Sequence, residues 1–293
     1  MNRLAVIALV LITSLLLAPA LAAAEPDASD ATASDAAAPA VEAKPAPKQK
    51  INRFYIRLGV AHIHPLSQSR ELELSNVDGP ASLAIQNGPI AGSGTSISSA
   101  TIPAAIIGYV LPIAHNRLSI ETVLGTPVDV KFQATGTLRD KSIAPTALGI
   151  PTGVMALGPE LGEAHAAPPV VTLVYSPFDG MFRPYVGAGV AVMFTYGAKA
   201  TNPILTEVSQ PEMSIAPAPG VAMQAGVEAR ITQKIYARLD VKFIGLMLAK
   251  ATVNHIQVKT PDIPLFDTVE VGTATMSVWV NPLIIQAGVG MDF

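Results

Sequence analysis

No cysteine occurs anywhere in the chain. That excludes disulfides, thiolate-held metals, a cysteine nucleophile and a lipid-modified N-terminal cysteine. Charge is scarce too. Only 14% of the residues are charged, against about 25% in an ordinary soluble domain. Aromatics make up 5% and tryptophan occurs once. The formal net charge of −3 leaves no basic footprint for nucleic acid. Beyond Ile51 no apolar run reaches the roughly 18 residues that signal a membrane-spanning helix.

What is present begins with an export signal. Asn2 and Arg3 precede the unbroken apolar run from Leu4 to Ala18, and small residues at Ala20, Ala22 and Ala24 fit a cleavage site. The run is shorter than the roughly 20 residues of a spanning helix, so residues 1–24 are expected to be removed. Residues 25–50, rich in Ala, Pro, Ser and Asp, show no apolar periodicity and are expected to form a disordered periplasmic tail. Residues 51–293 carry the fold.

In that part, proline and glycine recur every few residues, and the segments between them alternate. Eight such segments stand out, roughly Arg53–Ile63, Ile97–Leu111, Arg117–Phe132, Pro168–Pro177, Arg183–Tyr196, Pro219–Ile231, Ile235–Phe243 and Thr273–Phe293. The seventh is the cleanest. Ile235, Ala237, Leu239, Val241 and Phe243 oppose Tyr236, Arg238, Asp240 and Lys242. Short and long connections alternate along the chain, and an even strand number puts both termini on the short-turn side. The pattern predicts an all-β fold: an eight-stranded antiparallel transmembrane barrel with short periplasmic turns and long extracellular loops.

Alternation alone does not say which stripe faces lipid. Strands of about ten residues suffice to cross a bilayer at a tilt. The polar stripe also mixes both signs, as a filled lumen requires. We therefore expect the apolar stripe to face lipid and an inward charged network of Arg57, Glu121, Asp129, Lys131, Glu228, Arg230, Arg238, Asp240 and Lys242. The chain ends on alternating Val289, Met291 and Phe293, which resembles the signal read by the barrel-assembly machinery.

Several stretches in order, FYIRLGVAHIHP from Phe54, ETVLGTPV from Glu121, FRPYVGAGV from Phe182, LDVKF from Leu239 and the ending NPLIIQAGVGMDF, resemble the OmpW family of small outer-membrane barrels. FRPYVGAG is the most specific of these. The family includes AlkL-type hydrocarbon uptake proteins. The resemblance implies an eight-stranded barrel whose narrow, largely apolar passage carries small hydrophobic molecules across the outer membrane, with release through the wall as one route.

No catalytic constellation is present, and no metal site, cofactor or enzyme activity is expected. His62 and His64 share one strand face but have no third ligand close in sequence. Candidate lining of the passage and loops is Tyr185, Tyr236, Leu72, Leu74, Ile143, Leu148, Leu246 and Leu248. The expected partners are outer-membrane lipid, the assembly machinery and a small hydrophobic solute, with the protein a monomer. The alternative is a plugged structural or adhesive barrel whose loops or tail bind a partner. The full-length protein should fractionate with the outer membrane, be cleaved near Ala24, and migrate faster unheated than boiled. Recovery as a soluble periplasmic protein would invert every facing assignment.

Overall fold

The structure is a computed structural model that describes residues 53–292, Gln233 excepted. The signal segment, the tail and Phe293 lie outside the described residues.

Strands β1 (Phe54–Pro65), β2 (Ser93–Ile97), β3 (Ala100–Val110), β4 (Leu118–Gly125), β5 (Val128–Gly136), β6 (Glu160–Ala167) and β7 (Val170–Tyr175) form the first half of the chain's sheet. Strands β8 (Phe182–Ala200), β9 (Glu212–Ile215), β10 (Ala218–Arg230), β11 (Ile235–Gly245), β12 (Leu248–Lys259), β13 (Thr268–Trp279) and β14 (Pro282–Asp292) follow. All pair antiparallel. In the half of the barrel nearer Phe54 and Asp292, β1, β3, β4, β7, β8, β10, β11 and β14 pair in that order, and β14 closes back onto β1. This is a closed eight-stranded barrel, and closure leaves no sheet edge in hydrocarbon. Above it β2, β5, β6, the end of β8, β9, β12 and β13 continue the wall in that order. The tight connections β3–β4, β7–β8 and β10–β11 lie at the end where the described chain starts and finishes.

The lower half answers which stripe faces lipid. Leu58, Leu239 and Val289 are 64%, 53% and 53% exposed, while Arg238 and Asp240 on the opposite stripe are 5% and 0% exposed. Apolar residues point out and charges point in, because hydrocarbon solvates the former and the paired lumen accommodates the latter.

In the upper half the facing inverts. Val128, Phe132 and Ala134 point inward, whereas Asp129 and Lys131 are exposed on the outside. A one-residue bulge causes the change. Val123 lies opposite Val170 and Val128 opposite Ala166, so five steps along one strand match four along its neighbour. The same device recurs between β11 and β12, where Phe243 faces Leu283 and Leu248 faces Trp279, and Leu246 sits at φ 60°. Each bulge turns an apolar stripe that is continuous in sequence from the lipid face to the interior. Asp129 and Lys131 are thereby corrected. They lie on the water-facing wall and not in the lumen.

Above the wall, Leu72, Leu74, Val77, Leu138, Leu161, Val253, Ile256 and Met276 pack into one apolar core. It joins the loops to the strand extensions and roofs the barrel. Two substitutions test the inversion. Leu239→Arg, on the lipid face, should cost about 2–4 kcal/mol. Thr275→Arg, on the outer wall above it, should stay within about 0.5 kcal/mol. Urea unfolding in vesicles measures both.

Candidate functional site: a charged plug beneath an apolar chamber

The inward stripe of the lower half converges on Arg238. Its guanidinium grips Glu121 with two bonds, Nη1 to Oε1 at 2.7 Å and Nη2 to Oε2 at 2.9 Å. It also reaches Asp240 Oδ2 at 3.0 Å and Glu228 Oε1 at 3.3 Å. Arg57 Nη2 lies 2.5 Å from Glu228 Oε1, and Lys242 Nζ lies 2.6 Å from Asp240 Oδ1. Three cations and three carboxylates therefore balance. Neutral groups take further lone pairs of Glu121 and Asp240. Tyr55 Oη donates to Glu121 at 2.8 Å, Tyr185 Oη to Asp240 at 2.7 Å and Gln224 Nε2 to Glu121 at 3.1 Å. Arg57 and Arg238 stack over the Tyr55 and Tyr185 rings at 3.7 and 4.2 Å.

Glycine makes room for those rings. A side chain at Gly108 would collide with the Tyr55 ring, and one at Gly226 with Tyr185 Oη. Ring over glycine is how a narrow barrel accommodates two large side chains. The lower lumen is thus filled by side chains.

Above the plug lies a different environment. It is an apolar chamber with a cavity of about 80 Å³. Ile97, Val130, Phe132, Met193, Ile244, Met247, Met276 and Ile284 are among its lining. The hydroxyl of Thr195 is turned to the Ile215 carbonyl at 3.3 Å, and that of Ser98 to the Lys131 amide at 3.3 Å.

The chamber reaches a break in the wall. β3 pairs with β4 up to Ala104 opposite Gly125, and β2 pairs with β5 from Ile97 opposite Phe132. The overall register is the same on both sides of the interval. No ladder joins residues 99–103 to residues 126–130. The reason is phase. One strand turns its faces over between Ile97 and Ala100, the other between Gly125 and Val128. In between, Ala100 points to the chamber while Asp129, its would-be partner, points out. Directly opposed residues in an antiparallel ladder must share a face, so the ladder cannot form. Pro103 and Pro127 supply no N–H here either. An unpaired stretch is tolerable only where water and headgroups begin. The exposed Asp129, His165, His62 and His64 mark that level.

Of the charged residues expected inside, Arg57, Glu121, Glu228, Arg238, Asp240 and Lys242 come together in the plug. Arg230 sits exposed at the periplasmic rim, 5.7 Å from the Tyr236 ring. Tyr185 and Tyr236 belong to the buried lower lumen, not to a passage. Leu72 and Leu74 lie in the extracellular core, with Ile143 packed partly buried against it. Leu148 and Leu246 are 78% and 70% exposed, and Leu248 is half-buried. None of these eight lines the chamber. The lining that sequence reading missed includes Val128, Val130 and Phe132, which were visible as an apolar stripe but turn inward only because of the bulge. Met291 and Val289 point outward, and Phe293 lies outside the described residues.

A small closed barrel with lipid-facing apolar strands and a polar, ion-paired lumen is an outer-membrane β-barrel. The family comparison is specific. The OmpW family profile matches residues 53–293, and the chain belongs to the OmpW family. Its fold is similar to that of OprG from Pseudomonas aeruginosa, at 19% identity and a TM-score of 0.62, over 83% of this chain and 97% of that one. The outer membrane protein AlkL, solved in DMPC bilayers, is similar at 19% identity and a TM-score of 0.50, over 86% and 96% of the two chains. No curated protein sequence matches. The protein resides in the outer membrane. OmpW-family barrels are transport or structural proteins rather than enzymes.

Removing one partner from a buried ion-paired network strands the others. Arg238→Ala should therefore cost about 3–5 kcal/mol. Arg230→Ala, at the exposed rim, should cost far less. Urea midpoints with the heat-shifted gel band distinguish the two.

Proposed function

We propose that the protein carries small hydrophobic molecules from outside the cell into the outer membrane by way of the apolar chamber. The solute enters among the loops, rests in the chamber, and leaves sideways through the break between residues 99–103 and 126–130. The observation that supports this most is the stacking of the two environments, a dry apolar chamber directly above a filled, charge-neutral plug. A hydrophobic solute would lose its apolar contacts and separate paired charges to continue downward. Moving sideways brings it out at the headgroup level, from which it sinks into hydrocarbon without separating any paired charge.

The barrel acts as a monomer in lipid. Its terminal stripe of Val289, Met291 and Phe293 serves as the signal to the assembly machinery. A second reading, a plugged structural or adhesive barrel, is favoured by the same filled lower lumen.

The absence of native cysteine allows a clean separation. Ala100→Cys combined with Val128→Cys places a thiol on each lip of the break, to be joined by a short thiol-bridging reagent with a cleavable disulfide. Octane uptake by intact cells should fall to that of cells lacking the protein and return on reduction. Uptake unchanged by bridging would rule out exit through this wall. Uptake equal with and without the protein would favour the structural reading.

A further inference from the structure

The upper wall has a second interval without a backbone ladder. β2 is laddered on one side to β5, from Ser93 opposite Gly136 to Ile97 opposite Phe132. On its other side stands the upward continuation of β1. That continuation is laddered to β13 behind it, with Ser69 opposite Val278 and Leu74 opposite Ala274. Below, β1 pairs with β3 as far as Ile63 opposite Ala100. Above, residues 71 and 72 are knotted to the start of β2. The Leu72 amide donates to Ser93 Oγ at 2.8 Å, the Leu72 carbonyl accepts from the Ile90 amide at 2.8 Å, and Glu71 Oε1 accepts from the Gly92 amide at 2.8 Å. Between these two fastenings no ladder joins residues 64–70 to residues 94–99. Among the described residues, two side-chain bonds span the slot. His64 Nδ1 lies 3.0 Å from Ser99 Oγ at its foot, and Ser69 Oγ lies 3.2 Å from Thr95 Oγ1 higher up.

The slot abuts the chamber. Ile63, Pro65, Thr95, Ile97 and Ser98 stand along its edges and line the cavity, while Gln68, Arg70 and Ser99 are exposed on the outer face. Unladdered backbone groups need water, and this interval lies on the water side of the wall break. Thr95 is buried in a mainly apolar lining, where valine would fill the same volume with no hydroxyl to satisfy. Ser69 donates its own proton to the Arg70 carbonyl at 2.6 Å, so the Thr95 hydroxyl is the donor across the slot. One neutral hydroxyl bond is far easier to part than a ladder. Each lip also keeps its ladder to the strand behind it when the slot parts. The other way in runs through the roof, where Leu72, Phe132, Leu138, Leu161 and Met276 pack in one continuous core. Parting that core would wet apolar surface.

Resting on the passage reading above, we infer that the solute enters the chamber through this slot, and that Ser69 and Thr95 are the positioning residues that latch it. The latch keeps water out between passages. A hydrophobic solute wedged among Ile63, Pro65 and Ile97 replaces the hydroxyl bond with apolar contact. Entry and exit then lie on opposite sides of one chain segment, the slot beside residues 94–99 and the break beside residues 99–103.

Ser69→Cys combined with Thr95→Cys, before bridging, should keep the heat-shifted gel band and take up octane at least as fast as the parent in intact cells. Joining the two thiols with the short cleavable reagent should reduce uptake to that of cells lacking the protein, and reduction should restore it. Thr95→Cys combined with Ala134→Cys places the same bulk across the intact β2–β5 ladder, and bridging there should leave uptake unchanged. Thr95→Val combined with Ser69→Ala removes the latch. It should raise uptake about two- to tenfold at octane levels far below saturation, the gain in open population expected for one lost neutral hydrogen bond. In that background Ile97→Cys should react with a charged, membrane-impermeant thiol reagent in the medium faster than in the parent, by a similar factor. If the latch-free double variant fails to fold, Ser69→Ala alone removes the acceptor and should act in the same direction. Parental uptake and labelling in a folded latch-free variant would overturn the inference, as would loss of uptake in both bridged pairs. Uptake that survives the bridge at 69 and 95 but not the one between Ala100→Cys and Val128→Cys would overturn it and leave the passage intact. Uptake that survives bridging at 100 and 128 would overturn the passage reading and this inference with it.

Discussion

Hydrocarbon can neither donate nor accept a hydrogen bond, and the structure is organised by the depth at which that solvent gives way to water. Below this depth every backbone group must find a partner within the wall, so eight strands close on themselves. Side chains sort the same way. Leu58, Leu239 and Val289 face lipid, and the charges on the alternate positions turn inward and pair. Above it, water solvates the outside, and the economical arrangement is reversed. Asp129, Lys131 and Lys199 face out, while Val128, Ala134 and Val253 pack inside.

One chain must therefore exchange its faces partway along several strands, and the exchange has a mechanical cost. A bulge moves every later side chain to the other face. Two neighbouring strands can exchange at the same height or at different heights. Where they exchange at different heights the wall opens, as it does between residues 99–103 and 126–130. The break is a geometric consequence of adapting to two solvents, and the chamber lies directly behind it.

Plug and chamber divide the labour within the lumen. Arg238 and its carboxylates fill the narrow lower barrel and, with Tyr185, join five strands, β1, β4, β8, β10 and β11, into one ring. A rigid floor lets the upper wall be irregular without collapse. Met193, Met247 and Met276 line the chamber, where unbranched thioethers fill irregular space.

Much of this was legible in the chain. Period-two alternation in segments such as Ile235–Phe243, with tight and long connections in turn, determined the barrel, its strand number and its orientation. The mixed signs on Arg57, Glu121, Glu228, Arg238, Asp240 and Lys242 identified the inward stripe, because charges of both signs at period two have to pair somewhere. The failures share one cause. Asp129 and Lys131 sit on the same alternate positions as Glu121 and were read as facing the same way, yet a single extra residue between Val123 and Val128 sends them outside. A bulge is defined by the partner strand, and the partner lies about forty residues away in sequence. The sequence by itself determined a lipid-embedded barrel with a paired lumen, since those follow from local periodicity and charge. Only the tertiary structure decided where the faces exchange, and with that the chamber, the wall break and the histidines that border it, since each depends on which residues oppose one another across strands.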